Sequence, residues 1–216
     1  MAFLTEDMVR RRARARAQAR GRTVDSALRN EARKDVAHYD VFLSQTIHDQ
    51  EIVYGVYAIL TEDLELTVFC DWIENPEADR SHVTPENARY VRERMRRSDT
   101  LLFLDTPKAD QSKWMCWELG WFDGAKGKVG ILPVVRNAGD PYRGREFLGL
   151  YPVVELEGGR ELHVAMTPQL LAELMVPGRV YGMAKSMPLG AWKGLPAGSW
   201  PPLPGHMSYR VEGRIL

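Results

Sequence analysis

Cysteine is nearly absent from this 216-residue chain: Cys70 and Cys116 stand far apart and form no CxxC. That excludes a disulfide framework and a cysteine-based zinc site, and makes a reducing cytosol the default setting. No stretch approaches the ~18 consecutive apolar residues of a membrane span. The N-terminus carries no apolar run ahead of a small-residue cleavage site, so a cytoplasmic chain with no membrane partner is expected. Net charge is missing too: 29 lysines and arginines balance 29 aspartates and glutamates, so no global field points to nucleic acid or an anionic surface. His38, His82, His163 and His206 show no metal-ligand spacing. No internal repeat runs through the chain.

What is present is ordinary for a globular protein: 44% hydrophobic and 27% charged residues. The length fits one domain with extensions. The expected division is a basic helical extension over 1–35, a central domain over 36–160, and a C-terminal helix and tail over 161–216. Residues 5 to 34 read as helix, with Glu6 and Asp7 suited to its start and Gly21 interrupting it. Arg10 to Arg22 is arginine- and alanine-rich and holds no acid. Three readings follow in descending order: a solvated or frayed arm, a docking or self-association arm, and a nucleic-acid contact. The last ranks lowest because no aromatic residues interleave to stack on bases. A transit peptide is disfavoured by Glu6 and Asp7.

Further on, the pattern alternates between strand and helix. Val41 to Ser44 is a short apolar run. Val53, Val56, Tyr57 and Leu60 repeat with the spacing of one helix face. Leu66 to Cys70 is β-branched and aromatic. Thr84-Pro85 opens a helix whose buried side is Ala88, Val91 and Met95. Leu101 to Leu104 is apolar throughout, as in a strand covered on both faces. Ser112 caps a helix ending near Gly124. Val129 to Val135 is a strand whose Pro133 suggests an edge or a bend. Tyr151 to Leu156 is a fifth strand, and Thr167-Pro168 starts a last helix through about Met175. Residues 187 to 205, rich in proline and glycine, are expected to be extended, with Trp192 and Trp200 packed on the domain or on a second copy. This spacing implies an α/β fold: a flavodoxin-like three-layer sandwich with a five-stranded parallel sheet in the order 2-1-3-4-5. Ligands of such sheets bind beyond the carboxyl ends of the strands. The loops expected there are Ser44 to Asp49, Asp71-Trp72 and Asp105 to Ser112.

Four segments carry a resemblance. They are Tyr39-Asp40-Val41-Phe42-Leu43-Ser44; Val68-Phe69-Cys70-Asp71; Ser112-Lys113-Trp114-Met115-Cys116-Trp117-Glu118-Leu119; and Val129-Gly130-Ile131-Leu132-Pro133-Val134-Val135. In this order they resemble a TIR (Toll/interleukin-1 receptor) domain over about residues 38 to 136, continuing more loosely to 157. By position alone, Glu118 reads as a solvated acid near a helix N-terminus. The resemblance implies instead the glutamate with which TIR enzymes cleave NAD+. A carboxylate suits that reaction, because the departing nicotinamide becomes neutral while the ribose gains oxocarbenium character.

The resemblance thus implies Glu118 as the catalytic residue. Phe42, Ser44, Gln45, Asp71, Trp72 and Trp114 become substrate contacts, with Trp114 one helical turn before Glu118. NAD+ is substrate, so no cofactor and no metal are expected. Trp117 and Phe122 are expected in the core, and Cys116 as a small buried hydrophobe. Asp40 reads as structural. Asp49 reads as a pocket residue or simply as the acid of a helix start. Many TIR enzymes carry an aromatic or basic residue just after the serine, where this chain has Gln45-Thr46-Ile47. Among TIR enzymes the chain looks most like the Thoeris proteins of anti-phage defence. That implies a cyclic ADP-ribose-type messenger read by a separate effector, and a homo-oligomer built through TIR–TIR contacts. Two other classes stay open: a non-catalytic TIR scaffold working by assembly, for which the charged segment Glu74 to Thr84 would matter, and an N-glycoside enzyme like the nucleoside deoxyribosyltransferases.

Overall fold

The computed structural model describes residues 2–29, 36–71, 84–109, 112–142, 144–174 and 185–196. The chain enters through a two-residue strand, β1 (Leu4–Thr5), followed by helices α1 (Glu6–Ala19) and α2 (Val24–Arg29). An alternating section follows. It runs β2 (Tyr39–Ser44), α3 (Gln50–Ala58) prolonged by a π-helical turn Ile59–Asp63, β3 (Val68–Phe69), α4 (Pro85–Arg96), β4 (Ser98–Asp105), α5 (Lys113–Lys126) and β5 (Val129–Val135). After a 3-10 turn at Glu146–Leu150 come β6 (Val153–Glu157), β7 (Glu161–Ala165), α6 (Pro168–Leu174), β8 (Ser186–Pro188) and α7 (Leu189–Gly194).

The sheet order is β3-β2-β4-β5-β6-β7-β8, with β1 pairing β5. The five strands from β3 to β6 are parallel, and they keep the 2-1-3-4-5 order of the alternating section. The expectation of a purely parallel five-stranded sheet needs correction. Among the described residues the sheet has eight strands and is mixed, because β7 and β8 add antiparallel at one side and β1 adds parallel beside β5. Pro133 does not mark an edge. It sits where β5 changes neighbours, since β6 pairs at Ile131 and β1 takes over at Val134. A residue without an N–H is tolerated at such a break in a ladder.

Strand alternation splits the core in two. Val41, Leu43, Leu102, Leu104, Leu132 and Val134 face α1 and α3. Phe42, Leu101, Phe103, Val129 and Ile131 face α4 and α5. By the same alternation, Ser44, Asp105 and Pro133 fall on the α5 side. The local starts follow sequence chemistry. Thr84 accepts the Asn87 amide ahead of α4, Ser112 accepts the Met115 amide ahead of α5, and Gly127 closes α5 at φ +60.

Both ends of the chain depart from expectation. The basic N-terminal helix is no solvated arm: Val9, Ala13, Arg16 and Ala17 of α1 are buried, and they pack in the core cluster that holds α3. Its arginines answer acids of the domain. Arg10 and Arg14 pair with Glu51 at 2.7 and 2.6 Å, and Arg12 pairs with Glu62 and Asp63 at 2.7 and 2.8 Å. Arg16 lies over the rings of Tyr54 and Tyr57. Exposed pairs contribute little each, so burial of the alanine-rich stripe is what docks the helix. That stripe seats close to the α3 backbone because residue 55 is glycine. A Cβ there would meet the Val9 carbonyl oxygen at 2.1 Å.

The expectation of extended chain over 187–205 holds for residues 187 and 188, which lie in β8 beside β7, and is overturned for Leu189–Gly194, which form α7. Trp192 is 1% exposed, and Lys128 donates to its carbonyl at 2.7 Å. Lys193 bonds Asp40, which also accepts from Thr67. Trp200 lies outside the described residues. Among the described residues no helix is long and apolar enough to cross a membrane.

Gly55→Ala is expected to cost about 2 kcal/mol through overpacking, or roughly 6 °C in Tm, in a thermal melt. An unchanged Tm would mean that α1 is not seated on α3. A pH series tests the C-terminal clasp. Burial pushes the Asp40 carboxyl up, but hydrogen bonds from Lys193 and Thr67 outweigh that and hold it below its ordinary 3.8. A depressed carboxylate contributes stability above its unfolded pKa and loses it as pH falls through the folded one. The Tm gap between wild type and Lys193→Met should therefore be steady from about pH 5 to 7 and close below about pH 3.8. A gap independent of pH would contradict the pairing.

Candidate active site

Ser44 ends β2 at the carboxyl edge of the sheet and is 1% exposed. Glu118 lies in the second turn of α5, on the face that buries Met115, Leu119 and Phe122. It is 6% exposed, so it is not the solvated helix acid that position alone suggests. The Ser44 hydroxyl donates to Glu118 Oε2 at 2.6 Å, across 74 residues of sequence. A hydroxyl–carboxylate bond of that length is charge-assisted, and it fixes the carboxylate at the mouth of the sheet.

Two other expected site residues flank this pair. Gln45 follows Ser44, and Trp114 stands one turn before Glu118. Gln45 Oε1 and Trp114 Nε1 are both buried without a hydrogen-bond partner among the described residues. Buried polar atoms that the protein leaves unpaired are uncommon and are usually met by solvent or a ligand. Trp114 meets Trp117 edge-on with ring centroids 5.3 Å apart, and the Arg92 guanidinium lies over Trp117.

The remaining expected residues are less close. Phe42 is 1% exposed and stacks on Phe69 at 5.1 Å, within the core beneath the site. Asp71 follows β3. Because Phe42 pairs with Phe69, Asp71 falls level with Ser44 one strand across, on the flank opposite β4. Trp72 and the segment from Glu74 to 83 lie outside the described residues. Cys116 is exposed, not buried; it sits off the α5 stripe formed by residues 115, 118, 119 and 122. Phe122 is in the core as expected, at 0% exposure.

Sequence reasoning gave too little weight to the loop after β4. Asp49, 8% exposed, accepts from the Thr106 hydroxyl at 2.5 Å and lies 3.5 Å from Lys108 Nζ. Lys108 also donates to the His48 carbonyl at 3.0 Å. The loop that carries Gln45 is thereby tied to the loop that follows Asp105. Asp105 itself ends β4, 6% exposed, and accepts from Tyr142 Oη at 2.7 Å and from Arg145. Burial, reinforced by the Asp105 carboxylate, pushes the Tyr142 hydroxyl well above its usual range, so it remains a donor. Asp49 has a visible signal, an acid at a helix start. Tyr142 and Arg145 have none, because only the tertiary fold brings the loop after β5 over β4.

The Ser44–Glu118 bond sets a stability test. Ser44→Ala removes a donor from a buried carboxylate and should cost about 2 kcal/mol in denaturant unfolding. Pairing it with Glu118→Leu should recover most of that loss, since apolar replacement of both partners is nearly neutral. A costless Ser44→Ala would contradict the bond.

No protein-family model matches the sequence. The chain is 42% identical over 138 residues to a curated protein of Bacillus cereus named a probable 3' cyclic ADP-D-ribose synthase, ThsB', covering 63% of this chain and 70% of that one. It is 24% identical over 84 residues to the putative cyclic ADP-D-ribose synthase TIR2 of Cytobacillus dafuensis, covering 38% of this chain and 22% of that one. A solved TIR domain, from the Toll-related receptor TRR-2 of Hydra magnipapillata, overlaps at 20% identity with a TM-score of 0.36, over 51% of this chain and 78% of that one. That overlap is too slight to bear on the site.

Proposed function

This chain belongs to the TIR-domain family, among the relatives of the bacterial ThsB-type proteins, and on that premise we propose that it cleaves NAD+ between nicotinamide and ribose. The observation that carries the reading is the buried Glu118 carboxylate held at 2.6 Å by Ser44 at the carboxyl end of the sheet. A carboxylate withdrawn from water acts strongly on a neighbouring charge. The bonding pair of the C1'–N bond leaves with nicotinamide and cancels its pyridinium charge, so no proton donor is required. Positive charge develops on the ribose C1' and ring oxygen, where Glu118 stabilises it. Ser44 is a positioning residue that fixes the carboxylate.

Gln45 and Trp114 have the donor and acceptor capacity to meet the substrate beside the carboxylate. Asp71 bounds the other flank and Phe42 supports the floor, and Trp72 is assigned as a further substrate contact on the resemblance alone. A hydroxyl of the substrate then closes on C1' and releases its proton to bulk solvent, giving a cyclic ADP-ribose-type product; water in its place, losing its proton the same way, gives ADP-ribose. Exclusion of water decides between them. The similarity to named cyclic ADP-D-ribose synthases favours the cyclic outcome. It also favours a Thoeris-like role in anti-phage defence, in which a diffusible nucleotide reaches a separate effector and TIR–TIR contacts build the working assembly. The protein needs no cofactor for this reaction, NAD+ being the substrate.

The test is incubation of purified protein with NAD+ and mass analysis of the products, wild type beside Glu118→Gln. Wild type is expected to release nicotinamide at least about 10²-fold faster than the variant, with a companion one water lighter than ADP-ribose. Equal release by both proteins, or none from wild type at high concentration in lysate of infected cells, would overturn the reading.

A further inference from the structure

A concavity opens one strand away from Ser44. It is a cleft of about 320 Å³ over the carboxyl ends of β4 and β5, lined by Asp105, Thr106, Pro107, Pro133, Tyr142 and Arg145 among others. Such a volume suits part of a small ligand. Register places the cleft relative to Glu118. Ser44 pairs with Phe103, and Asp105 pairs with Pro133. Ser44, Asp105 and Pro133 therefore point to one face of the sheet, with Ser44 and Asp105 one strand and two residues apart, or about 8 Å between Cα atoms. Thr106 joins the two places physically: it lines the cleft and its hydroxyl donates to Asp49 in the loop after Ser44.

The walls have a definite chemistry. Pro107, Pro133, Val134 and the Tyr142 ring make an apolar slot suited to a flat base. Phe3 meets Tyr142 edge-on at 5.8 Å, so the N-terminal segment steadies that ring. At the rim stands the Arg145 guanidinium, bonded to Asp105 and to the Thr106 carbonyl at 2.9 Å, with 41% of its side chain exposed. A guanidinium pre-set by a carboxylate and a carbonyl presents its planar fork in one orientation, as phosphate recognition requires. Gln45 and Thr46, which follow Ser44, are uncharged; among the described residues that line the cleft, Arg145 carries the positive charge, while Lys108 nearby is turned to Asp49 and the His48 carbonyl.

We propose that this cleft is the subsite for the adenosine-phosphate half of the dinucleotide, with Arg145 on the phosphate and the Tyr142–proline slot on the base. The proposal rests on the reading of Glu118 as the residue that meets the nicotinamide ribose. A dinucleotide held there must send its second nucleotide across a neighbouring strand, and the cleft over β4 and β5 has both the apolar walls and the cation to receive it.

The test uses AMP as the probe, by calorimetry on the full chain, together with turnover of NAD+ and of nicotinamide mononucleotide, which lacks the adenosine half. Arg145→Lys keeps the charge and loses the fork; Pro107→Phe, on an exposed turn, fills the slot without touching Asp105. The expected result is AMP binding weakened about tenfold or more by either variant and unchanged by Glu118→Gln, a KM for NAD+ raised about tenfold, and cleavage of nicotinamide mononucleotide unchanged. AMP binding within twofold of wild type in both variants, or no AMP binding by wild type at millimolar concentration, overturns the subsite. If AMP binds in the cleft as described while no form of the protein cleaves NAD+, the subsite stands and the Glu118 reading falls.

Discussion

A carboxylate taken out of water must be met by donors, and the placement of Glu118 is governed by that requirement. Desolvating an ionised group costs several kcal/mol even after relaxation, and Glu118 is 6% exposed. The Ser44 hydroxyl offsets part of that cost. This requires β2 to end where the second turn of α5 passes over it, which in turn requires α5 to start at its Ser112 cap and to bury residues 115, 118, 119 and 122 on one side. A buried charge held in this way is ready for chemistry, because its field is not spent on solvent.

The rest of the fold keeps that junction rigid. Both faces of the parallel strands are covered, by α4 and α5 on the site side and by α1 and α3 on the other. The added elements lie around the core. Strand β1 enters beside β5 as β6 diverges, and α7 clasps the amino end of the sheet through Lys193 and Asp40. At the carboxyl end, the Asp49–Thr106 bond links the loop after β2 to the loop after β4. Asp105 then links that loop to Tyr142 and Arg145. These hydrogen bonds join three loops at the edge of the candidate site.

Much of the parallel core was legible in the sequence because its signals are local. Apolar runs of strand length, Thr84-Pro85 and Ser112 as helix starts, and the offsets within Val53 to Leu60 each rest on a few adjacent residues. The Ser44–Glu118 neighbourhood was legible through motif and through the rule for the carboxyl ends of a parallel sheet. The misses are non-local. The arginines of α1 looked solvent-bound because their partners Glu51, Glu62 and Asp63 lie far along the chain. Trp192 packs on the domain as its size suggested, but the helix that carries it went unread because its anchor, Lys128, lies 64 residues away. Tyr142 and Arg145 carry no pattern of their own; their meaning comes from Asp105, which only the sheet brings near.

The most direct measurement is a crystal structure of the Glu118→Gln protein soaked with NAD+. The account predicts the ribose of the nicotinamide end against the side chain at position 118 and beside Ser44, with C1' about 3 to 3.5 Å from the nearest side-chain oxygen, the separation of reacting atoms in a near-attack geometry. NAD+ bound with that ribose away from position 118, while wild type still releases nicotinamide, would contradict it.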